Sequence, residues 1–152
     1  MKTRFQALLC GLGLVVLAGC GSDSSRITSV LEKCAAVGRQ SASVPGGPGS
    51  QANFIARQFQ GIDVTGCPAD FRMAYQAHVF AWQQAAPALA NDQIGTAFLE
   101  GLASGLTNDP RYIGQAGGQA QFAIQQINAT YFELTQIAAR YGARIPRSAV
   151  GG

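Results

Sequence analysis

The sequence predicts an all-α protein, a small helical bundle of about four main helices. Apolar residues recur at spacings of three and four over several long stretches, which is the period of one helix face. No stretch alternates apolar and polar residues with the period of two that a half-buried strand requires. Segments rich in proline and glycine separate the helical stretches, as expected of the turns between helices.

The first nineteen residues have the layout of a secretory signal peptide. Lys2 and Arg4 precede an apolar run from Ala7 to Ala18. About a dozen apolar residues are too few to cross a hydrocarbon core roughly 30 Å thick, and a polar stretch over residues 22–26 follows at once. We therefore expect residues 1–19 to be removed rather than retained as a membrane span.

The tetrad Leu17-Ala18-Gly19-Cys20 resembles the lipobox of bacterial lipoproteins, with leucine first, small residues next and an obligatory cysteine. The resemblance covers the first 20 residues and implies cleavage before Cys20, a diacylglyceryl thioether on its sulfur, and usually an acyl chain such as palmitate on the new N-terminus. Two or three chains make attachment lasting, because each buried CH₂ contributes about 0.8 kcal/mol. The alternative is an ordinary signal peptide in which Cys20 is incidental.

The residue after the cysteine bears on localisation. In enterobacterial lipoproteins an aspartate there marks retention in the inner membrane, and this chain has Gly21. The resemblance therefore favours the outer membrane, with the domain facing the periplasm. We interpret residues 20–25 as the acylated cysteine and a short flexible tether. Five flexible residues have an r.m.s. span of about 12 Å, so the folded domain is expected close to the bilayer.

Removal of the leader leaves 133 of the 152 residues, which is one ordinary domain. We assign residues 26–145 to the bundle and residues 146–152 to a flexible tail. Nine Lys and Arg then face eight acidic residues, without a basic cluster. Nucleic acid is therefore excluded as the expected partner.

The cysteines predict one disulfide. Cys10 leaves with the leader and Cys20 is acylated, so Cys34 and Cys67 are the remaining pair. An oxidising envelope favours a bond between them, and a loop of this length contributes roughly 3 to 4 kcal/mol by restricting the unfolded chain. The alternative is a pair of buried free thiols.

The first predicted helix covers about Ser25 to Val37 and is followed by a flexible loop over residues 38–52, which contains the run Val44 to Ser50. Asn53 is the expected cap of a short helix that ends before Gly61. The apolar residues of these two helices are Ile27, Val30, Leu31 and Cys34, then Phe54, Ile55 and Phe59.

The clearest helix starts at Cys67-Pro68-Ala69-Asp70, where Pro68 suits the first helical position and Asp70 lies near the positive end of the helix dipole. We expect Pro87 to kink or end this helix. Its apolar face comprises Phe71, Tyr75, His78, Val79, Trp82 and Ala86.

A further helix is predicted from Asn91 or Asp92 to Leu106, and the last helix is predicted to end before Gly142. Arg140 and Arg144 suit the negative end of the last helix, and Pro146 prevents its continuation. The first of the two buries Ile94, Phe98, Leu102 and Leu106 and carries a ridge of small residues, Ala97, Gly101 and Gly105, which indicates close approach of a neighbouring helix. The last buries Ile124, Ile127, Tyr131, Leu134, Ala138 and Tyr141.

Three short segments are similar to those of small uncharacterised exported bacterial proteins, a likeness that implies no activity. They are Cys67-Pro68-Ala69-Asp70-Phe71, Phe98-Leu99-Glu100-Gly101 and Ala138-Ala139-Arg140-Tyr141-Gly142-Ala143.

The search for chemistry yields no catalytic, cofactor or metal site. His78 is the sole histidine and lies on an apolar stripe, so we interpret it as a core or rim residue satisfied by one hydrogen bond. Asp63 and Asp70 are explained as a turn acid and a helix-start acid. Glu100 and Glu133 are isolated. The expected protein is therefore not an enzyme.

Two functional hypotheses remain from these observations. The first is a lipid-anchored helical interaction or scaffold module, attached to the membrane through Cys20 and contacting a protein partner in the envelope. The second is a binding protein for a small apolar ligand between helices. Its candidate site residues are Phe71, Tyr75, Trp82, Tyr131 and Tyr141.

Overall fold

The structure, a computed structural model, describes residues 18–90 and 118–146. Within these ranges the chain is all-helical, without a strand, which confirms the predicted class. The helices are α1 (Ala18–Ser41), α2 (Gly47–Gln60), α3 (Ala69–Leu89) and α4 (Gly118–Arg140). The predicted helix from Asn91 or Asp92 to Leu106 and most of the predicted tail lie outside the described residues.

The four helices run alternately up and down. Near the start of α1, Arg26 donates from Nη1 to the carbonyl of Gly66, in the turn before α3, over 2.9 Å. Ser24 donates from Oγ to the carbonyl of Gly142, just after α4, over 2.8 Å. We call this the proximal end of the bundle. Gly49, at the start of α2, touches Ala90, just after α3, at the opposite, distal end.

Helix α3 is the centre of the packing and lies along both α4 and α2, while α1 packs mainly on α2. The buried apolar residues form one continuous core. The predicted apolar face of α3 is buried throughout, and so are the predicted faces of α1 and most of α4; Tyr131 and Tyr141 are only partly buried. The largest fully buried side chains are Trp82, Phe59, Phe71, Ile27, Ile55, Leu89, Ile124, Ile127 and Leu134.

Helix α1 is longer than predicted at both ends. It begins at Ala18, so the backbone of residues 20–25, predicted to be a flexible tether, is helical. Tertiary contacts account for this difference, because Ser24 and Arg26 are bonded to the turns at the proximal end. At the other end, Ser41 is buried and donates from Oγ to the carbonyl of Gly38 over 2.7 Å, which extends the helix past the predicted Val37.

The predicted flexible loop over residues 38–52 is wrong in extent, because only residues 42–46 separate α1 from α2. Gly46 adopts a left-handed conformation (φ 99°) that glycine tolerates, and Pro48 lies in the first turn of α2, where its missing N–H is not needed. Asn53 is consequently an exposed residue inside α2 rather than its cap. The predicted end of this helix before Gly61 is confirmed.

The roles of Pro68 and Pro87 in α3 differ from the prediction. Pro68 occupies the capping position, one residue before the helix, and the helix continues past Pro87 to Leu89. Leu89 is fully buried, and its burial offsets the hydrogen bond that Pro87 removes near the helix end.

The end of α4 is confirmed as predicted at Gly142, which has φ 67°. The amide of Gly142 donates to the carbonyl of Ala139 over 2.9 Å. The amide of Ala143 donates to the carbonyl of Ala138 over 3.0 Å. This pair of bonds is a Schellman motif. Arg140 lies in the last turn of α4, as predicted, and its guanidinium also pairs with Asp70 on α3.

The predicted disulfide is wrong, because Cys34 and Cys67 are both free and buried. Cys67 lies beside Gly66, at the level of Arg26 on α1. Cys34 is eight residues further along α1, about 12 Å of helix, whereas a disulfide requires Cα atoms within about 7 Å. The two thiols therefore belong to different levels of the bundle.

Candidate functional site

A chain of hydrogen bonds joins α3 to α4 at the centre of the bundle. Trp82 donates from Nε1 to Nε2 of His78 over 3.2 Å, and Nδ1 of His78 lies 3.0 Å from Oγ1 of Thr130. Because Nε2 accepts, the ring proton is placed on Nδ1, which donates to Thr130. The hydroxyl of Thr130 in turn donates to the carbonyl of Gln126 or Ile127.

His78 is the core histidine that the sequence predicts, with two hydrogen bonds rather than one. Burial lowers its pKa to about 3, because the charged imidazolium loses its hydration. The ring is neutral at pH 7, and both of its nitrogens are engaged. The side chain is therefore structural in this environment and poorly placed to exchange protons with a substrate.

A second buried chain joins α1, α3 and the end of α2. Sγ of Cys34 lies 4.0 Å from the hydroxyl of Tyr75, which donates to the carbonyl of Phe59 over 2.7 Å. Burial raises the pKa of Cys34 to about 12, and burial also raises the pKa of Tyr75. Since the thiolate is the reactive form of cysteine, Cys34 is an inert core residue.

The predicted ligand site between the helices is filled by protein. Ring centroids of Phe71 and Tyr75 lie 6.3 Å apart, and those of His78 and Tyr131 lie 5.7 Å apart. The cavity beside His78, Tyr131 and Cys34 holds only about 10 Å³, room for one water at most. Phe71, Tyr75, Trp82 and Tyr131 therefore meet in the core as packing residues.

Tyr141, the fifth member of the predicted aromatic set, lies elsewhere. Its hydroxyl donates to Oδ1 of Asp70 over 3.0 Å at the proximal end, and Arg140 donates to Oδ2 over 3.0 Å. The amide of Phe71 also donates to Oδ1, over 2.9 Å. Burial opposes ionisation of Asp70, but these hydrogen bonds outweigh it and lower the pKa of the carboxyl. Asp70 thus links the start of α3 to the end of α4.

The other candidate acid has a local role. Asp63 accepts hydrogen bonds from the hydroxyl and the amide of Thr65, over 2.7 and 2.9 Å, and these bonds lower its pKa. This is the turn role that the sequence predicts. Asp63 and Asp70 therefore have separate partners rather than forming a catalytic pair.

Two negative findings apply to residues 18–90 and 118–146. No three His, Cys, Asp or Glu side chains in these ranges lie close enough to share a metal ion. Across the same ranges, no helix combines the length and the apolarity that a bilayer crossing requires.

The surface has one feature that the sequence analysis missed, an open groove between α3 and α4, which we call the outer groove. Two hollows of about 350 and 500 Å³ lie along it. Met73 and Phe122 line these hollows and are 66% and 63% exposed, although they are large and apolar. Phe80 lines neither hollow, but it is 59% exposed and lies on α3 between Ala77, which lines the first hollow, and Ala81, which lines the second. Their spacing could have revealed the groove, because Met73, Ala77, Phe80 and Gln84 fall on a second face of α3. The hollow of about 350 Å³ is lined by Asp70, Met73, Ala74, Ala77, Glu133, Gln136, Ile137 and Arg140, and the hollow of about 500 Å³ by Ala81, Gln84, Pro87, Ala88, Gly118, Gln119, Phe122, Ala123 and Gln126.

Comparison with known proteins adds no relative. No family model matches the chain, and neither a curated protein nor a solved structure is significantly similar to it. The function is therefore inferred from the sequence motifs and the geometry described above.

Proposed function

We propose that this chain is a membrane-anchored envelope lipoprotein whose helical domain serves as an interaction or scaffold module. The observation that carries the proposal is the tetrad Leu17-Ala18-Gly19-Cys20, whose last three residues are the first residues of α1. An acylated Cys20 would continue directly into a helix packed in the bundle. Such an attachment holds the domain beside the bilayer without a flexible spacer, which suits a module that presents a surface to other envelope proteins.

The proposed role is not enzymatic. Cys34 and His78 have side chains of the types that serve as nucleophile and base in enzymes, but both are buried, and burial favours their neutral, unreactive forms. The outer membrane is the proposed location, facing the periplasm, because Gly21 rather than aspartate follows the cysteine.

Metabolic labelling with an alkyne fatty acid, followed by membrane fractionation, tests the anchor. We expect the full precursor to yield a labelled product in the membrane fraction. Cys20→Ser should abolish the label and release the product, whereas Cys10→Ser, a matched change within the leader, should alter neither. Label or membrane retention that survives Cys20→Ser would refute the anchor.

Crosslinking in intact envelopes tests the interaction module. The anchored chain should capture a reproducible protein partner, and the unanchored Cys20→Ser chain should capture less of it, because the membrane no longer concentrates both proteins. Repeated captures without a common partner would count against this role while leaving the anchor intact.

The alternative is a binding protein for a small apolar ligand. The outer groove favours it, because its hollows fall within the roughly 300 to 1,000 Å³ typical of ligand sites and are lined mainly by apolar atoms. Native mass spectrometry with fatty acids or lipid extracts is the test. An unchanged mass across these mixtures would discard this alternative.

A further inference from the structure

The outer groove leaves apolar surface without a partner among the described residues. Met73 and Phe80 on α3 and Phe122 on α4 are each more than half exposed. Ala77 and Ala81 line the two hollows and are small, so a helix could approach closely there. Gln84, Gln126 and Glu133 supply a polar part of the same lining. Large apolar side chains that are exposed along one groove mark a place where another segment packs.

The chain itself supplies a segment at the mouth of this groove. Helix α3 is followed by Ala90, and α4 starts at Gly118, and both positions lie at the distal end. Pro87 and Gly118 line the same hollow there. The 27 residues 91–117 therefore leave from and return to one end of the groove.

The lengths of the groove and the segment agree. The groove side of α3 from Met73 to Ala88 measures about 22 Å, and residues 92–106 measure about 22 Å if helical. The remaining residues 107–117 can span at most roughly 36 Å when extended, which is enough to return to Gly118. A helix laid along the groove thus needs no more chain than is present.

The sequence of this segment complements the groove. Ile94, Phe98, Leu102 and Leu106 recur every four residues and supply one apolar face, while Ala97, Gly101 and Gly105 allow close approach. We propose that residues 91–106 of this chain occupy the outer groove and pack their apolar face against Met73, Phe80 and Phe122. This inference is independent of the proposed lipid anchor. A tethered segment has a local concentration in the millimolar range, so it outcompetes a second copy or a free partner.

Hydroxyl-radical labelling of the mature chain, read by mass spectrometry, tests the proposal with a built-in reference. Phe132 is 65% exposed on another side of α4, outside the groove. In an open groove Phe80 and Phe122 would be oxidised at the rate of Phe132. If the segment occupies the groove, we expect roughly sixfold slower oxidation of both, the ratio of their exposure to that of a core residue below about 10%. The chain should carry Cys20→Ser, so that neither lipid nor detergent is needed.

Concentration and substitution separate the possible occupants. Protection that persists in dilute monomer supports the proposal, whereas protection lost on dilution indicates a second copy and overturns it. Equal rates for all three phenylalanines overturn it as well. Leu102→Asp should raise the oxidation of Phe80 and Phe122 to the rate of Phe132, and Glu100→Gln, on the opposite side of the predicted helix, should not. The comparison within the unsubstituted chain decides the matter even if Leu102→Asp prevents folding.

Discussion

Cys34 and His78 line the same small cavity, and burial shifts their pKa values in opposite directions. The pKa of the thiol rises to about 12 and that of the imidazole falls to about 3. The cause is common to both, because burial disfavours the charged form of each group. Tyr131, whose pKa burial also raises, lines the same cavity. The centre of the bundle is thus held in a neutral state near pH 7.

The stability of the protein should therefore depend on His78 as pH falls. The unfolded chain takes up the imidazole proton near pH 6.5, while the folded state resists it until about pH 3. The contribution is complete above pH 6.5 and is lost as pH falls below it. We expect a decrease of about 2 kcal/mol in the free energy of unfolding between pH 7 and pH 5.

Urea denaturation at the two pH values measures this change. His78→Gln is the control, because glutamine stays neutral throughout, and its stability should be nearly constant over the interval even though it starts lower. An equal decrease in both proteins would show that His78 is not responsible. The interval stays above the range in which Asp63 and Asp70 titrate.

The free thiols give a second prediction at the level of single residues. In the folded protein at pH 7, alkylation of Cys34 should be slower by a factor on the order of 10³ than in the unfolded chain, as expected for a pKa of about 12. In denaturant without reductant, the peptides of Cys34 and Cys67 should both be alkylated fully. Peptide mass spectrometry checks both statements, and a failure of the two peptides to react before reduction would contradict the structure.

Among the helices, α2 and α3 depend on a close approach at the distal end. A Cβ placed on Gly49 would lie 2.6 Å from Cα of Ala90, closer than real contacts allow. Backbone rather than a flexible side chain opposes it, so the helices must separate. Gly49 is therefore required because α3 approaches it closely, and not because of the backbone conformation of α2.

Substitution at Gly49 should consequently destabilise the bundle. We expect Gly49→Ala to lower the free energy of unfolding by about 1 to 3 kcal/mol, the usual cost of overpacking. Gly118→Ala is the matched control at another helix start, where an added Cβ meets nothing within 4 Å. Thermal melting compares the two, and equal melting temperatures would refute the close approach.

On the scale of the whole molecule, the alternating helices give the bundle two distinct ends. The proximal end gathers the start of α1, the turn around Gly66 and the residues after α4. Ion pairs tie these parts together, since Arg144 pairs with Glu32 and Arg140 pairs with Asp70. If Cys20 carries the anchor, the proximal end faces the membrane.

This orientation predicts two different distances from the bilayer. Thr65 is exposed at the proximal end, whereas Ala42 is exposed just after the end of α1, 22 residues and about 33 Å beyond Cys20. A fluorophore on Thr65→Cys should be quenched by brominated lipids when the acylated protein is reconstituted, and one on Ala42→Cys should not. Equal quenching at both sites would indicate a flexible tether instead of a continuous helix.

Much of the fold could be predicted because helix faces are a local property of sequence. The stripe of Phe71, His78 and Trp82 and the stop at Gly142 depend on spacing and on backbone preference within one segment, and both are confirmed. The helical start of α1 could not be predicted in this way. It depends on bonds from Ser24 and Arg26 to residues 40 or more positions away.

The candidate site likewise has features that the sequence indicated and features that depend on tertiary packing. The sequence indicated that His78 is a core residue, but its partner Thr130 lies 52 residues away and had no signal of its own. The aromatic set was identified as residues that cluster, yet whether they enclose space or fill it depends on side-chain packing. Packing fills it, and the open space lies instead in the outer groove.

The sequence by itself determined the all-helical class, most of the buried faces among the described residues and the lipobox-like tetrad, because each rests on residues within a few turns of one another. Only the tertiary structure decided that Cys34 and Cys67 lie at different levels and remain free thiols. Only the tertiary structure decided that Phe80 and Phe122 are exposed as well. Distances between segments depend on how the helices pack, and periodicity within one helix carries no information about its height or side in the bundle.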